Sequence, residues 1–259
     1  MPRPVWKGSL AFGLVSVNVG MYPAVSDHDI SFHQLDRETH KRVRYRKVAE
    51  GTSEEVPRER IVKGYEVTPG EYVLVEPEEL AALSPTKSNT LEIHDFVELS
   101  EIDPIYFDSS YYLAPEKGAD RPYQLLRDAM RTSGRVGIAE FVMRARQYLA
   151  AVRAEDDVLV LTTLHFADEI RAVSDTLPEA PPSGAFEGRE LDLARNLIEQ
   201  MTVPWMPDQY EDTYRARVDE LIRAKAAGET LSVRTEEPSA PVLDLMEALR
   251  RSVEGAEAS

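Results

Sequence analysis

Apolar positions alternate with polar ones through the first two thirds of the chain and recur every three or four residues through the last third. Leu10–Val19 is apolar and β-branched, with Val15, Val17 and Val19 at every second position, and predicts a strand. Ile30–Leu35 is a second, shorter candidate. Arg42–Val48 alternates differently: Arg42, Arg44 and Arg46 fall on one face of a strand, Val43, Tyr45 and Lys47 on the other. Gly51, Ser53 and Pro57 mark a turn. Ile61–Val67 and Tyr72–Val75 flank Thr68-Pro69-Gly70-Glu71, whose Pro-Gly pair signals a reversal. Thr90–Phe96 and Ile105–Leu113 predict two more strands.

Helical signals punctuate this β pattern. Pro77–Leu83 predicts a short helix with proline at its first position. A longer helix follows, with Asp120 as its cap, Pro122 in its first turn, Leu125, Leu126, Ala129 and Met130 as its apolar stripe, and Gly134 as its stop. Val136–Val152 and Val158–Phe166 then predict a long hairpin turning at Ala154-Glu155-Asp156-Asp157. In that pattern Arg144, Arg146 and Tyr148 share one face, and Phe141, Met143 and Leu149 the other. Pro178–Gly188 is a linker. Helical periodicity returns in Glu190–Met201, Asp208–Ala227 and, beyond the polar stretch Thr230–Pro241, in Val242, Leu243, Met246, Leu249 and Val253. The predicted class is a mainly β body with an inserted helix, followed by a helical C-terminal part.

Composition sets the bounds. With 259 residues and 42% apolar content, the chain is one large domain, or one domain with appendages, and has a sizeable core. It has no cysteine, hence no disulfide framework and no thiolate metal site. No run approaches the roughly 18 apolar residues of a membrane helix, and Met1–Val5 lacks the apolar stretch of a signal peptide. The expectation is a cytoplasmic, nucleoid-associated protein without a membrane partner.

Charge changes the picture most. The net charge is -16, yet Lys41–Lys47 carries five cations and no anion. Residues 1–63 hold 11 basic and 8 acidic side chains, residues 64–120 hold 2 and 13, residues 121–153 hold 7 and 2, and residues 154–259 hold 10 and 23. Positive charge confined to two blocks points to one surface that seeks a polyanion while the rest repels it. A charged edge strand that resists aggregation explains one or two lysines. It explains poorly an arginine at every second position of Arg42–Arg46, with Arg58, Arg60 and Lys63 on the following arm, because arginine is the multi-donor phosphate ligand. Paired in a hairpin, the two arms would reach about 40 Å. Arg144, Arg146 and Arg153 form a second candidate group; Arg127 and Arg131 read as solvated or paired.

Catalytic signals are weak. The five histidines lack metal-ligand spacing, and no phosphate-binding or nucleophile loop is present. No base-reading element appears either, which favours sequence-independent backbone contact. Two alternatives from other classes stand beside this: a hydrolase using surface carboxylates, and an acidic structural dimer whose cassette pairs with its own helices.

Several stretches carry a family resemblance. They are Trp6-Lys7-Gly8-Ser9-Leu10-Ala11-Phe12-Gly13-Leu14-Val15, Phe32-His33-Gln34-Leu35, Ile61-Val62-Lys63-Gly64-Tyr65-Glu66, Ile102-Asp103-Pro104-Ile105-Tyr106-Phe107, Tyr111-Tyr112-Leu113-Ala114-Pro115, Tyr123–Met130 and Val136-Gly137-Ile138-Ala139. In this order they resemble the bacterial Ku proteins, and they cover nearly the whole chain to about Gly228. The resemblance implies a Ku-type β-barrel over residues 1–180 with a DNA-encircling bridge arm at about 37–67. It further implies a helical dimer-supporting region over 181–229, and a linker and C-terminal helix over 230–259. Two copies would form a ring-shaped homodimer that threads onto linear double-stranded DNA ends without enzymatic activity or cofactor. The ring would recruit an ATP-dependent DNA ligase for non-homologous end joining. DNA contacts would fall to Arg42, Arg44, Arg46, Lys47, Arg58, Arg60 and Lys63, with Lys7, Arg144 and Arg146 as further candidates.

Two features depart from or qualify the family pattern. Many bacterial members carry a lysine-rich C-terminal tail, whereas this sequence ends at Ser259 with Glu254, Glu257 and no lysine; activities tied to that tail are not carried over. Asp244–Leu249 resembles the family's short ligase-directed element, which makes Leu243, Met246 and Leu249 candidate partner contacts. Docking of that helix on its own domain is the alternative.

Overall fold

A computed structural model of the chain describes residues 3–26, 30–83, 89–179, 184 and 188–228. They form two units, residues 1–176 and residues 177–259. In the first, β1 (Trp6–Phe12) and β2 (Val15–Pro23) make a hairpin. β3 (Lys63–Thr68) and β4 (Glu71–Val75) make a separate two-stranded sheet, and α1 (Pro77–Leu83) follows. Then come β5 (Thr90–Glu98), β6 (Phe107–Pro115), α2 (Asp120–Ser133), β7 (Arg135–Met143), β8 (Arg146–Glu155), β9 (Val158–Leu164) and the single turn α3 (Val173–Thr176).

Seven of these strands close into a barrel in the order β1-β2-β6-β9-β8-β7-β5. Closure removes every free edge. It is completed by a parallel pairing of β1 with β5, Ser9 opposite Thr90 and Leu10 opposite Leu91; all other neighbours are antiparallel. Alternation dictates which side chains fill it: Leu10, Val17, Val19, Met21, Leu113 and Leu161 are buried within one core cluster. α2 packs Tyr123, Leu126 and Met130 into that same cluster. Outside the wall, Val136, Ala151 and Leu164 are covered by Ile102, Tyr106 and Phe107, so β9 is buried on both faces.

Several expectations require correction. The run Leu10–Val19 is two strands, because Gly13 takes φ +55° and lets the chain reverse with Leu14 at the tip. Val136–Val152 is likewise two strands, reversing at Arg144 (φ +52°) and Ala145 (φ +62°). Phe141 and Tyr148 therefore face each other and stack at 5.4 Å, while Leu149 lies on the outer wall. Asp120 is the first helical residue and Ala119 the cap; Leu125 is 72% exposed, and Tyr123 takes its place in the buried stripe. β6 begins at Phe107, because Asp103 accepts the Ile105 amide at 3.0 Å and holds Pro104–Tyr106 in a tight turn.

In the second unit, α4 (Arg189–Met201) agrees with the periodicity. α5 (Thr213–Ala226) starts five residues later than the Asp208 expected, since Asp212 accepts the Arg215 amide at 2.9 Å and Pro207–Gln209 forms its own turn. Among the described residues of this unit only Ala224 is buried. Trp205 and Tyr210 stack at 5.3 Å, yet both remain largely exposed. The helix expected over Val242–Val253, with Leu243, Met246 and Leu249, lies outside the described residues.

Candidate nucleic-acid interface

The basic cassette lies in an arm between β2 and β4. From Ser31 through Leu74 every residue but Val56 is exposed, apolar ones included. Local hydrogen bonds shape it. The Asp36 carboxylate accepts from the Thr39 hydroxyl and from the amides of Glu38 (3.4 Å) and Thr39 (3.2 Å). These bonds, that from the Thr39 hydroxyl foremost, hold its carboxyl below the usual aspartate range. The turn brings the Asp36 amide to the Lys41 carbonyl at 2.9 Å and the Val43 amide to the Gln34 carbonyl at 2.9 Å. At the other end the Val56 amide donates to the Lys47 carbonyl at 2.8 Å.

Arg42–Val48 is not the strand that its alternation suggests. Only its ends make isolated bridges, Leu35 with Arg42 and Val48 with Glu55. A strand needs a neighbour along its length, and here the chain turns away at 36–41 and again at 49–52. Ile30–Leu35 contributes only Leu35 to a bridge. The return arm also differs: Arg58–Arg60 is a single 3-10 turn after Pro57, so no hairpin of about 40 Å forms. The hairpin that does form is β3–β4, reversing at Pro69-Gly70 with Gly70 at φ +85°.

Ion pairing separates the arm from the barrel. Among the described residues, Lys41, Arg42, Arg44, Lys47, Arg58, Arg60 and Lys63 have no acidic partner, and Arg46 has only Glu55, at 3.9 Å across two largely exposed side chains. Six cations of the barrel unit are engaged, whereas Arg3, Lys117, Arg121 and Arg171 have no ion pair among the described residues. Lys7 meets Glu116 at 2.6 Å, whose hydrogen bond and charge raise the Lys7 pKa. Arg127 and Arg131 both hold Asp128, at 2.9 and 3.0 Å. Arg135 pairs with Glu98 at 3.0 Å and Arg153 with Glu155. Arg146 donates to Glu169 at 3.1 Å and lies 5.3 Å over the Tyr148 ring. Arg144 stands at the tip of the β7–β8 turn with no ion pair among the described residues. The pairing expected of Arg127 and Arg131 is found with the nearby Asp128, whereas the partners of Lys7, Arg135 and Arg146, namely Glu116, Glu98 and Glu169, sit far along the chain.

Two clefts flank these features. One of about 1040 Å³ lies on the outer barrel wall, bordered by Phe107, Arg135, Arg153 and Thr162; its arginines are the two already paired. Another, of about 680 Å³, lies on the arm between Tyr45 and Lys47 on one side and Arg58 and Ile61 on the other.

The described residues contain no helix long and apolar enough to cross a membrane. The family described as the Ku70/Ku80 beta-barrel domain matches residues 11–193. The non-homologous end joining protein Ku 1 of Saccharopolyspora erythraea is 51% identical over 99% of this chain and 79% of its own length. The corresponding protein of Anaeromyxobacter sp. is 45% identical over 99% and 86%, and that of Desulfitobacterium hafniense 42% over 96% and 86%. Among solved structures, the SPOC domain of human PHD-finger protein 3 covers 62% of the chain at 11% identity and a TM-score of 0.31, a likeness too slight to inform the site.

Proposed function

The chain belongs to the Ku family, and from that premise we propose that it is a non-enzymatic clamp for double-stranded DNA ends in non-homologous end joining. The observation that carries this reading is the contrast in charge pairing. The arm holds eight cations without an ion pair among the described residues, Arg37 and the seven named above, on a segment that buries almost nothing, while six cations of the barrel unit are held by carboxylates. A chain of net charge -16 that keeps such a segment unneutralised has a polyanion as its natural ligand. Phosphate neutralisation supplies affinity without base contacts, which suits ends of any sequence.

The clamp is a homodimer in this reading. Apolar side chains on the arm, such as Tyr65 and Tyr72, and on the second unit, such as Trp205, are exposed to a degree that a second copy would relieve. Two-fold pairing presents each arm cation twice and closes a ring around the duplex. Threading follows: a closed ring enters only from an end and does not dissociate sideways. Recruitment of an ATP-dependent ligase through Leu243, Met246 and Leu249 completes the proposal, with the protein working on the nucleoid. The test compares a blunt linear duplex with a covalently closed circle of the same sequence. Retention on the linear DNA and not on the circle at moderate salt is expected; equal retention would sink threading.

A further inference from the structure

The cleft on the arm contains more than phosphate neutralisation requires. Tyr45 stands at its edge with 82% of its surface exposed, yet its hydroxyl donates to Gln34 Oε1 at 2.5 Å. An aromatic face is thereby held in solvent in a fixed place. Lys47 and Arg58 line the same cleft, neither with an acidic partner among the described residues. Val56, Pro57 and Ile61 give it an apolar lining, and Glu55, the one acid present, approaches Arg46. Its volume of about 680 Å³ falls within the range of small-molecule sites, about 300–1,000 Å³.

We propose that this cleft receives one unpaired nucleotide of a single-stranded overhang, its base stacked on Tyr45 and its phosphate between Lys47 and Arg58. The inference rests on the end-binding reading and deepens it. Bases inside a duplex have both faces stacked on their neighbours and offer nothing to a tyrosine ring. An unpaired base has a free π-face, and every base has one, so the site is indifferent to sequence. The two cations supply the charge that the nucleotide's phosphate needs, and the guanidinium offers several donors to its oxygens. The cassette would then bind the duplex by charge and the unpaired end by stacking.

The test measures dissociation constants by anisotropy for a blunt duplex and for the same duplex with a three-nucleotide overhang, each closed at its far end by a hairpin loop. The unaltered protein is expected to bind the overhang about tenfold more tightly, the order of one base–aromatic stack. Tyr45→Ala brings the ratio close to one with blunt binding little changed, and Tyr45→Phe, which keeps the ring, keeps the preference. 2-Aminopurine at the first unpaired position is quenched by the unaltered protein and by Tyr45→Phe but not by Tyr45→Ala. Equal affinity of the unaltered protein for both duplexes would overturn the inference, as would an equal loss on both in Tyr45→Ala. A change in sedimentation mass in Tyr45→Ala would overturn it too, by placing the ring against a second copy. Binding of neither duplex by the unaltered protein would instead overturn the end-binding reading, and this inference with it.

Discussion

The Tyr123 hydroxyl donates to the Leu113 carbonyl at 2.5 Å and accepts the Leu159 amide at 2.8 Å. One side chain from α2 thereby ties together two adjacent barrel strands, β6 and β9, from inside the core. Tyr123→Phe keeps the ring but leaves a buried donor and acceptor unmatched, so a loss of about 1–3 kcal/mol is expected in urea unfolding. Burial also pushes the Tyr123 phenol above its ordinary pKa of 10.0. The folded state thus favours the protonated form. Its contribution is fully present below about pH 10 and is lost as pH rises through the raised folded value. The unaltered protein should lose stability more steeply above pH 10 than Tyr123→Phe does; parallel alkaline profiles would refute the assignment.

Gly8 closes the barrel. A Cβ there would overlap the Asn89 carbonyl and the Trp6 ring. The same Asn89 carbonyl accepts the Ser9 amide at 2.7 Å, and the Trp6 indole donates to the Val142 carbonyl at 3.0 Å. Neither neighbour is free to shift. Gly8→Ala should cost about 1–3 kcal/mol, whereas Gly13→Ala, whose Cβ meets nothing, pays only for its positive φ. Thermal midpoints of the two variants separate packing from backbone conformation, and a smaller loss in Gly8→Ala would place the close approach elsewhere.

The β7–β8 reversal uses two residues ill-suited to it. Arg144 and Ala145 both have positive φ, where an L side chain costs roughly 1–2 kcal/mol. Ala145→Gly removes that strain but gives back about 0.4–1 kcal/mol of unfolded-chain entropy. A net gain of about 0.5–1 kcal/mol is expected, with Ala145→Val moving the urea midpoint the other way.

These turns also mark where sequence reading stops. Strands and helices bounded by strong punctuation, such as β3–β4 around Pro69-Gly70 and α2 before Gly134, were legible because the backbone conformation demands those residues. The reversals at Gly13-Leu14 and Arg144-Ala145 were not, since an apolar or charged tip continues the alternation of the strands it joins. On the arm, alternation assigned faces to Arg42, Arg44 and Arg46, but a period of two says nothing about whether a neighbour exists, and none runs along them. The cations themselves were legible. What distinguishes Lys7 from Lys47 was not, because Glu116 reaches Lys7 only through the closed barrel.

That distinction yields the last prediction. For cations that bind phosphate, the logarithm of the association constant falls with the logarithm of salt by about 0.9 per contact. An unpaired arm residue releases counterions from DNA without first giving up a protein partner. Arg44→Gln should therefore flatten the salt dependence on a short blunt duplex by about 0.9, or about 1.8 where two copies each present the residue. Lys7→Gln and Arg146→Gln remove cations already held by Glu116 and Glu169, so their slopes should change much less. The measurement is anisotropy between 50 and 200 mM salt. A slope untouched in Arg44→Gln but flattened in Lys7→Gln would move the DNA from the arm to the barrel wall.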